Sequence, residues 1–565
     1  TFQHMYLRTF HAVSATLDLA SVDAVRRLPY VNRVVEDAPV QAFGWADQEH
    51  RTRIGAERMW SERNVRGEGM VVAVIDTGVD YMHPSLGGGL GAGFKVIGGH
   101  DFIDGDNDPM DAHGHGTHVA GIIAGGNDDV RGVAPNAKLI AYRVLDADGF
   151  GRTSGIIAAI EWTVDPNRDG DLSDHVDVAN MSLGGGGDAD SPMSQAVDHA
   201  TQAGVVFCLA AGNTGGEHTI GSPGASRLGI TVGSSDEFDY LAFYSSRGPT
   251  GPDWALKPEV VAPGSSILSA KLGGGTVVFS GTSMAAPHVA GAAALLLQLH
   301  PDWSPADVKA ALVGSAHPIV EHVMGQGGGR IDIPAAAAMG SAIEPAVVTF
   351  GRDAGRNAWT STRTVRIANR STSEETFQAA VTAPQDVVVT AEPAHFTLAP
   401  GASRDVLLTA AISAAAGATM TTLSHGGTVT FTAEHDAVHV PWVAVDAARI
   451  TGTHELPSII MSICDSGPAQ PQVSGGFAYD LLLPSIRCDF VALSVPSDGW
   501  SREERTPTAF LSRSIDVQGD LVLPLTLDAD LRRHAVEPLR TFFGACESHI
   551  GDGARDAAVA VIERV

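Results

Sequence analysis

Residues 281–300 read GTSMAAPHVAGAAALLLQLH. A Gly-Thr-Ser turn opens an apolar, Ala- and Leu-rich segment, which predicts a helix ending before Pro301. Small residues crowd its start (Gly281, Ala285, Ala286, Ala290, Gly291), the pattern of a helix N-terminus packed against other backbone. A serine placed there, Ser283, would hold its Oγ at the positive end of a helix dipole, beside unpaired backbone N–H groups. That environment suits a nucleophile whose reaction builds negative charge on an adjacent oxygen. Taken alone, the same residues also fit an N-cap beside a buried helix.

Three upstream segments shift the balance. VVAVIDTGVD (71–80) is a buried strand ending on Asp76, HGHGTHVAG (113–121) is a Gly-rich turn feeding a small-residue helix, and FCLAAGN (207–213) is an apolar strand ending on an amide. The order Asp76, His115, Asn213, Ser283, with the local text around each, resembles the subtilisin-like serine proteases. The resemblance covers about residues 1–340. It implies that Ser283 attacks the scissile carbonyl, His115 takes its proton, and Asp76 holds the imidazole. Asn213 and the Ser283 N–H would then receive the oxyanion. The family pattern HGTHVAG places the base on His115; His118 and His288 then read as structural imidazoles inside helices, and His113 as a loop residue.

Working outward, Val- and Ile-rich strands alternate with helical patterns from Ile54 to about residue 340, which predicts an α/β fold: a parallel, doubly wound sheet of the subtilisin type. Asp76, Ser182 and Asn213 fall where strands run out, the place where such sheets collect their functional groups. Residues 1–45 read as strand, helix, strand. Ahead of a subtilisin-like domain they resemble the second half of the family's inhibitory propeptide, which implies a zymogen inhibited by its own N-terminal segment. The catalytic domain is expected over 46–342. From 343 to 447, short alternating strands between Gly, Pro, Asn and Ser turns predict a β-sandwich resembling a fibronectin-III-like domain. Residues 448–565 read as a β-rich region of unnamed role.

NMSLGGGG (180–187) predicts an extended backbone edge to which a peptide could add as a strand. By resemblance, the primary specificity pocket is walled by Ser182, Leu183 and Gly184, by Ala210, Ala211 and Gly212, and by the stretch from Gly221 to Ala225. These segments carry no charge, so large apolar or aromatic side chains are expected before the scissile bond. DPNRDGDLSD (165–174) places Asp165, Asn167, Asp169 and Asp171 around Gly170 like the start of an EF-hand loop, and reads as a structural calcium site. The glutamate of the twelfth loop position is replaced by Val176, and a solvated acidic turn is the alternative. DFIDGDNDPMD (101–111) is a second acidic run, balanced between metal site and solvated loop. At the best-known calcium site of the subtilisins the chain departs from the family: Ser85 follows His83-Pro84 where Asp is usual, so that site is expected to be absent.

The 565 residues carry 37 basic and 65 acidic side chains, a formal charge of −28, which argues against nucleic acid or anionic membranes as partners. No uninterrupted run of 18 apolar residues occurs, so no membrane span is expected. The chain begins on Thr1 in the middle of a pattern and reads as a fragment or trimmed form, which leaves secretion open on sequence grounds. Of four cysteines, Cys208 reads as a buried thiol and Cys464–Cys488 as one conceivable disulfide. The expectation is a secreted or cell-surface serine endopeptidase, a monomer, acting on polypeptides. Acyl transfer to an amine is an enzymatic alternative. A catalytically silent scaffold used for adhesion or binding is the alternative from another class, weakened by all four catalytic positions being filled.

Overall fold

A computed structural model describes residues 2–6, 12–15, 49–352, 359–384, 387–412 and 424–445. The chain divides into two compact units, 1–46 and 47–565. In the first, β1 (Phe2–Tyr6) pairs antiparallel with β2 (Ala12–Ala15). The helix expected around Val22, Val25 and Leu28, the region 448–565 and the three C-terminal cysteines lie outside the described residues.

The second unit opens with short helices α1 (His50–Arg53) and α2 (Ala56–Glu62) and is built on seven parallel strands. These are β3 (Val71–Asp76), β4 (Val96–Asp101), β5 (Lys138–Arg143), β6 (Val178–Met181), β7 (Val206–Ala210), β8 (Ile230–Ser235) and β9 (Val260–Pro263). Their order across the sheet is β4-β5-β3-β6-β7-β8-β9. Both faces are covered, and β3 shows why. Alternate side chains point to opposite faces, so Val72 and Val74 join one apolar cluster while Ala73 and Ile75 join another. The first cluster takes in α3 (His115–Ala124) and α6 (Thr282–Leu299); the second takes in α4 (Thr153–Val164) and α5 (Pro192–Gln202).

The chain leaves β3 toward β4 and β5 on one side, then crosses back to β6 and continues to β9 on the other. Winding therefore reverses between β3 and β6. The carboxyl ends of those two strands flank the crevice where open α/β sheets bind ligands. Between β9 and α6 lies the hairpin β10 (Ile267–Ala270) with β11 (Thr276–Phe279). Helix α7 (Pro305–Gly314) follows, opened by a capping box between Ser304 and Asp307.

Helix α6 is long and apolar enough to cross a bilayer by length and composition, although the sequence contains no uninterrupted apolar run of that length. Its place is the core: 78% of it is buried against α3 and strands β6 to β9, so its apolarity reflects protein packing.

Residues 341–445 form two facing sheets. β12 (Ser341–Glu344), β13 (Val348–Arg352), β14 (Trp359–Asn369), β15 (Glu375–Thr382), β16 (Val387–Glu392), β17 (His395–Leu398), β18 (Ser403–Ile412), β19 (Ser424–Thr432) and β20 (Ala437–Val445) are ordered β12-β14-β18-β16 and β13-β20-β19-β15-β17. Strict in–out alternation, clearest in β16, gives each sheet one apolar face, and Val406, Leu408, Phe377 and Phe431 share the core between them. Strand β13 runs parallel to β20 and the other pairs are antiparallel. The sandwich joins the α/β layer through Leu256 N donating to Thr349 Oγ1 and an Arg370–Asp307 ion pair.

Candidate active site

Asp76 ends β3 and His115 begins α3, and the two meet with His115 Nδ1 2.7 Å from Asp76 Oδ1. This needs α3 to approach the strand end closely. A Cβ on Gly116 would sit 2.1 Å from the Gly78 carbonyl oxygen, so only glycine fits directly after His115. The Thr77 N–H shares Asp76 Oδ1 at 2.8 Å. Burial alone would lower the His115 pKa, but the charge and hydrogen bond of Asp76, helped by Asp111, outweigh it and raise the imidazole above its ordinary value.

The other histidines of the two motifs are occupied elsewhere. His118 is fully buried, its Nε2 shared between the carbonyls of Ile267 and Val277, and burial pulls its pKa down to about 3. His288 Nδ1 lies 2.7 Å from the Met284 carbonyl oxygen and its Nε2 2.6 Å from His50 Nδ1. His113 is exposed on the loop, with ring centroid 6.4 Å from that of His115.

Ser283 lies in the first turn of α6. Its hydroxyl donates to the Ser182 carbonyl at 3.2 Å; no hydrogen bond joins it to His115. Pro287, four residues on, has no N–H to offer the Ser283 carbonyl, the bond a regular helix would make there. The Ser182 hydroxyl fills that vacancy at 2.8 Å, itself accepting from Asn180 Nδ2 at 3.0 Å. The Ser283 turn is thus tied to the end of β6 in both directions.

Asn213 follows β7. Its Oδ1 accepts from Thr282 N (2.8 Å) and Thr282 Oγ1 (3.0 Å), which fixes the amide orientation and leaves Nδ2 as the outward donor. The Ser283 N–H has no protein partner among the described residues. A Cβ built on Gly281 would stand 3.3 Å from Asn213 Nδ2 and 3.6 Å from Ser283 N, so glycine keeps the space beside both donors clear. Two N–H donors without a partner among the described residues, Asn213 Nδ2 and Ser283 N, thus flank one space beside Gly281.

A pocket of about 620 Å³ opens beside Ser283 and Asn213. Ser182, Leu183 and Gly184, Ala210, Ala211 and Gly212, and Gly221 all line it, and no carboxylate, lysine or arginine does. Gly184 to Gly187 are exposed, with Gly185 N already paired to the Ser222 carbonyl at 2.9 Å, so only part of the 180–187 backbone remains open to a partner.

A family model described as the subtilase family matches residues 67–329. Alkaline serine exoprotease A of Vibrio alginolyticus is 44% identical over 253 residues, 45% of this chain and 43% of that protein. Subtilisin E of Bacillus subtilis is 38% identical over 333 residues, 58% of this chain and 81% of that protein. The chain belongs to the subtilase family. This subtilase is a serine-type endopeptidase, and polypeptides are its substrates. A crystal structure of a cold adapted subtilisin-like serine proteinase is 40% identical, matching 46% of this chain and 86% of that one with a TM-score of 0.39.

In the acidic loop of the subtilase, three carboxylates come together. Carboxylate oxygens of Asp165, Asp169 and Asp174 lie within 4.8 Å of one another. Asp171 is not in that group: it caps the turn Leu172–Asp174, accepting from Ser173 N at 2.9 Å. The Asn167 amide is engaged with Asp169, donating to Oδ2 at 3.0 Å and accepting from its N–H at 2.8 Å. The second acidic run does not converge. Asp101 and Asp104 pair with Arg143, and Asp108 accepts from the Tyr81 hydroxyl. Cys208 is a free, fully buried thiol whose pKa burial pushes up.

Sequence reasoning missed three contributors to the site. Thr282, which orients Asn213, and Pro287, which frees the Ser283 carbonyl, were visible inside the helix motif, but their partners lie far away in sequence. Asp111 carried no signal beyond its place in an acidic run.

Proposed function

We propose that this subtilase hydrolyses peptide bonds through an acyl-enzyme on Ser283, with His115 as general base and then acid, and Asp76 holding the imidazole. The observations that carry the reading are the 2.7 Å His115–Asp76 contact and, on helix α6 packed against α3, a serine flanked by two N–H donors without a partner among the described residues. When substrate binds, the Ser283 hydroxyl exchanges the Ser182 carbonyl for His115 Nε2; such contacts often tighten only in the substrate complex. Attack then places the oxyanion between Asn213 Nδ2 and Ser283 N, and the imidazolium returns its proton to the leaving amine. A fluorophosphonate should label Ser283, and neither Ser283→Ala nor His115→Ala should be labelled. An unlabelled wild type, even with residues 1–46 removed, would overturn the reading.

A pocket lining without carboxylates, lysines or arginines among the described residues supports cleavage after large apolar or aromatic side chains. A peptide library showing preference for Arg or Lys at that position would refute this. We further propose that residues 1–45 serve as an inhibitory propeptide and that the mature enzyme acts outside the cell. Added as a separate chain, residues 1–45 should then inhibit the trimmed enzyme. Asp165, Asp169 and Asp174 would hold calcium, a hard cation that takes carboxylate oxygens. In that case calcium should raise the unfolding temperature of Ser283→Ala, and Asp169→Ala should abolish the rise.

A further inference from the structure

We propose that Asp111 is a positioning residue for acyl transfer, a carboxylate clamp that fixes the base-bearing turn of α3 against the end of β3. The inference rests on the protease reading above and concerns a residue outside the triad and the oxyanion site.

Asp111 is only 4% exposed, and all its partners are neutral donors. Oδ1 accepts from Thr77 Oγ1 (2.8 Å), His113 N (2.9 Å) and Gly114 N (2.9 Å). Oδ2 accepts from Thr117 N (2.9 Å) and Thr117 Oγ1 (2.5 Å). Burying a carboxylate is costly unless its lone pairs are filled, and here five donors fill them. The N-cap of α3 is Gly114, which has no side chain to cap with, so Asp111 supplies the missing acceptor from three residues earlier.

A cap alone would need only the bond to Thr117 N. The bond to Thr77 goes further, because Thr77 touches both halves of the catalytic pair. Its N–H donates to Asp76 Oδ1, and its Oγ1 accepts from Gly116 N at 2.9 Å while donating to Asp111. Asp111 therefore grips the residue after Asp76 on one side and both neighbours of the His115 turn on the other. Asp76 and His115 lie 39 residues apart, and this clamp sets their 2.7 Å separation. Its negative charge also favours the imidazolium that forms during attack.

The test is steady-state kinetics of Asp111→Asn on a short chromogenic peptide, with active enzyme counted by fluorophosphonate labelling. Misplacement of a reacting group by about 1 Å can cost on the order of 100-fold. The expected result is a kcat about 10- to 100-fold lower with KM within about twofold of wild type. The acid limb of kcat/KM should also move to lower pH, as one negative charge near the imidazole is lost. A kcat within twofold of wild type, or an unmoved acid limb, overturns the proposal. Should Asp111→Asn fail to fold, Thr77→Ser and Thr77→Val decide. Serine keeps the hydroxyl and should keep kcat, valine should lose it, and equal kcat in both overturns the clamp. A wild type that Ser283-directed reagents leave unlabelled would instead bring down the protease reading itself, which separates the two failures.

Discussion

Acidification should destabilise this subtilase through His118, and the size of the effect follows from its surroundings. The ring is fully buried; Nε2 is shared by two carbonyls, and Nδ1 has no hydrogen-bond partner. A second proton would therefore sit on a buried nitrogen with nothing to accept its hydrogen, which is why burial holds the pKa at about 3 against an ordinary 6.5. The unfolded chain takes up that proton below pH 6.5 and the folded chain does not, so stability is intact above 6.5 and falls as pH drops toward 3. At pH 5 the gap of about 1.5 units corresponds to about 2 kcal/mol, at roughly 1.4 kcal/mol per unit. The perturbation is His118→Gln, whose amide N–H can take the place of Nε2 but does not titrate. Denaturant unfolding at pH 7 and pH 5, in a Ser283→Ala background to prevent self-digestion, should show parent losing about 2 kcal/mol more than the glutamine variant. Equal losses in the two proteins would refute the reasoning.

Asn213→Ala should lower kcat by roughly 100- to 1000-fold with little change in KM, since it removes an oxyanion donor and leaves the pocket intact; a drop confined to KM would place Asn213 in ground-state binding. The acid limb of kcat/KM should lie above the ordinary histidine value of 6.5, because Asp76 raises the His115 pKa and only the neutral ring can act as base. A limb below that value in a pH–rate profile would contradict the geometry. Glu259 is buried between Lys257 (2.7 Å) and Lys309 (2.6 Å), so Glu259→Gln should leave two ammonium groups facing a neutral amide and cost about 3–5 kcal/mol in unfolding experiments.

Much of the fold is legible because its signals are local. The apolar runs at 71–76 and 206–210 and the small-residue helices at 115 and 282 each carry their own pattern, and their alternation predicts a parallel sheet. Asp76, His115, Asn213 and Ser283 stand out for a similar reason, each embedded in a distinctive segment. What escapes the sequence is pairing at a distance. Nothing near Asp111 indicates that its partner is Thr77, 34 residues earlier, and nothing near His50 points to His288, 238 residues later. The acidic loop shows the same limit within ten residues. Spacing groups Asp165, Asn167, Asp169 and Asp171, whereas the 3₁₀ turn at Leu172–Asp174 engages the Asp171 carboxylate as its cap and brings Asp174 near Asp165 and Asp169. Composition alone does not separate α6 from a membrane span, since a helix buried on most sides matches one in length and apolarity.

Pro287 bears on the order of assembly. Helix α6 cannot satisfy the Ser283 carbonyl from within; that acceptor is met only when the Ser182 hydroxyl arrives from the end of β6. The Ser283 turn is therefore incomplete as an isolated helix and becomes complete only when the helix docks on the central sheet. For a member of a family that cuts polypeptides, this makes the surroundings of Ser283 conditional on having folded: a nascent or half-docked chain carries the serine but not the turn that places it.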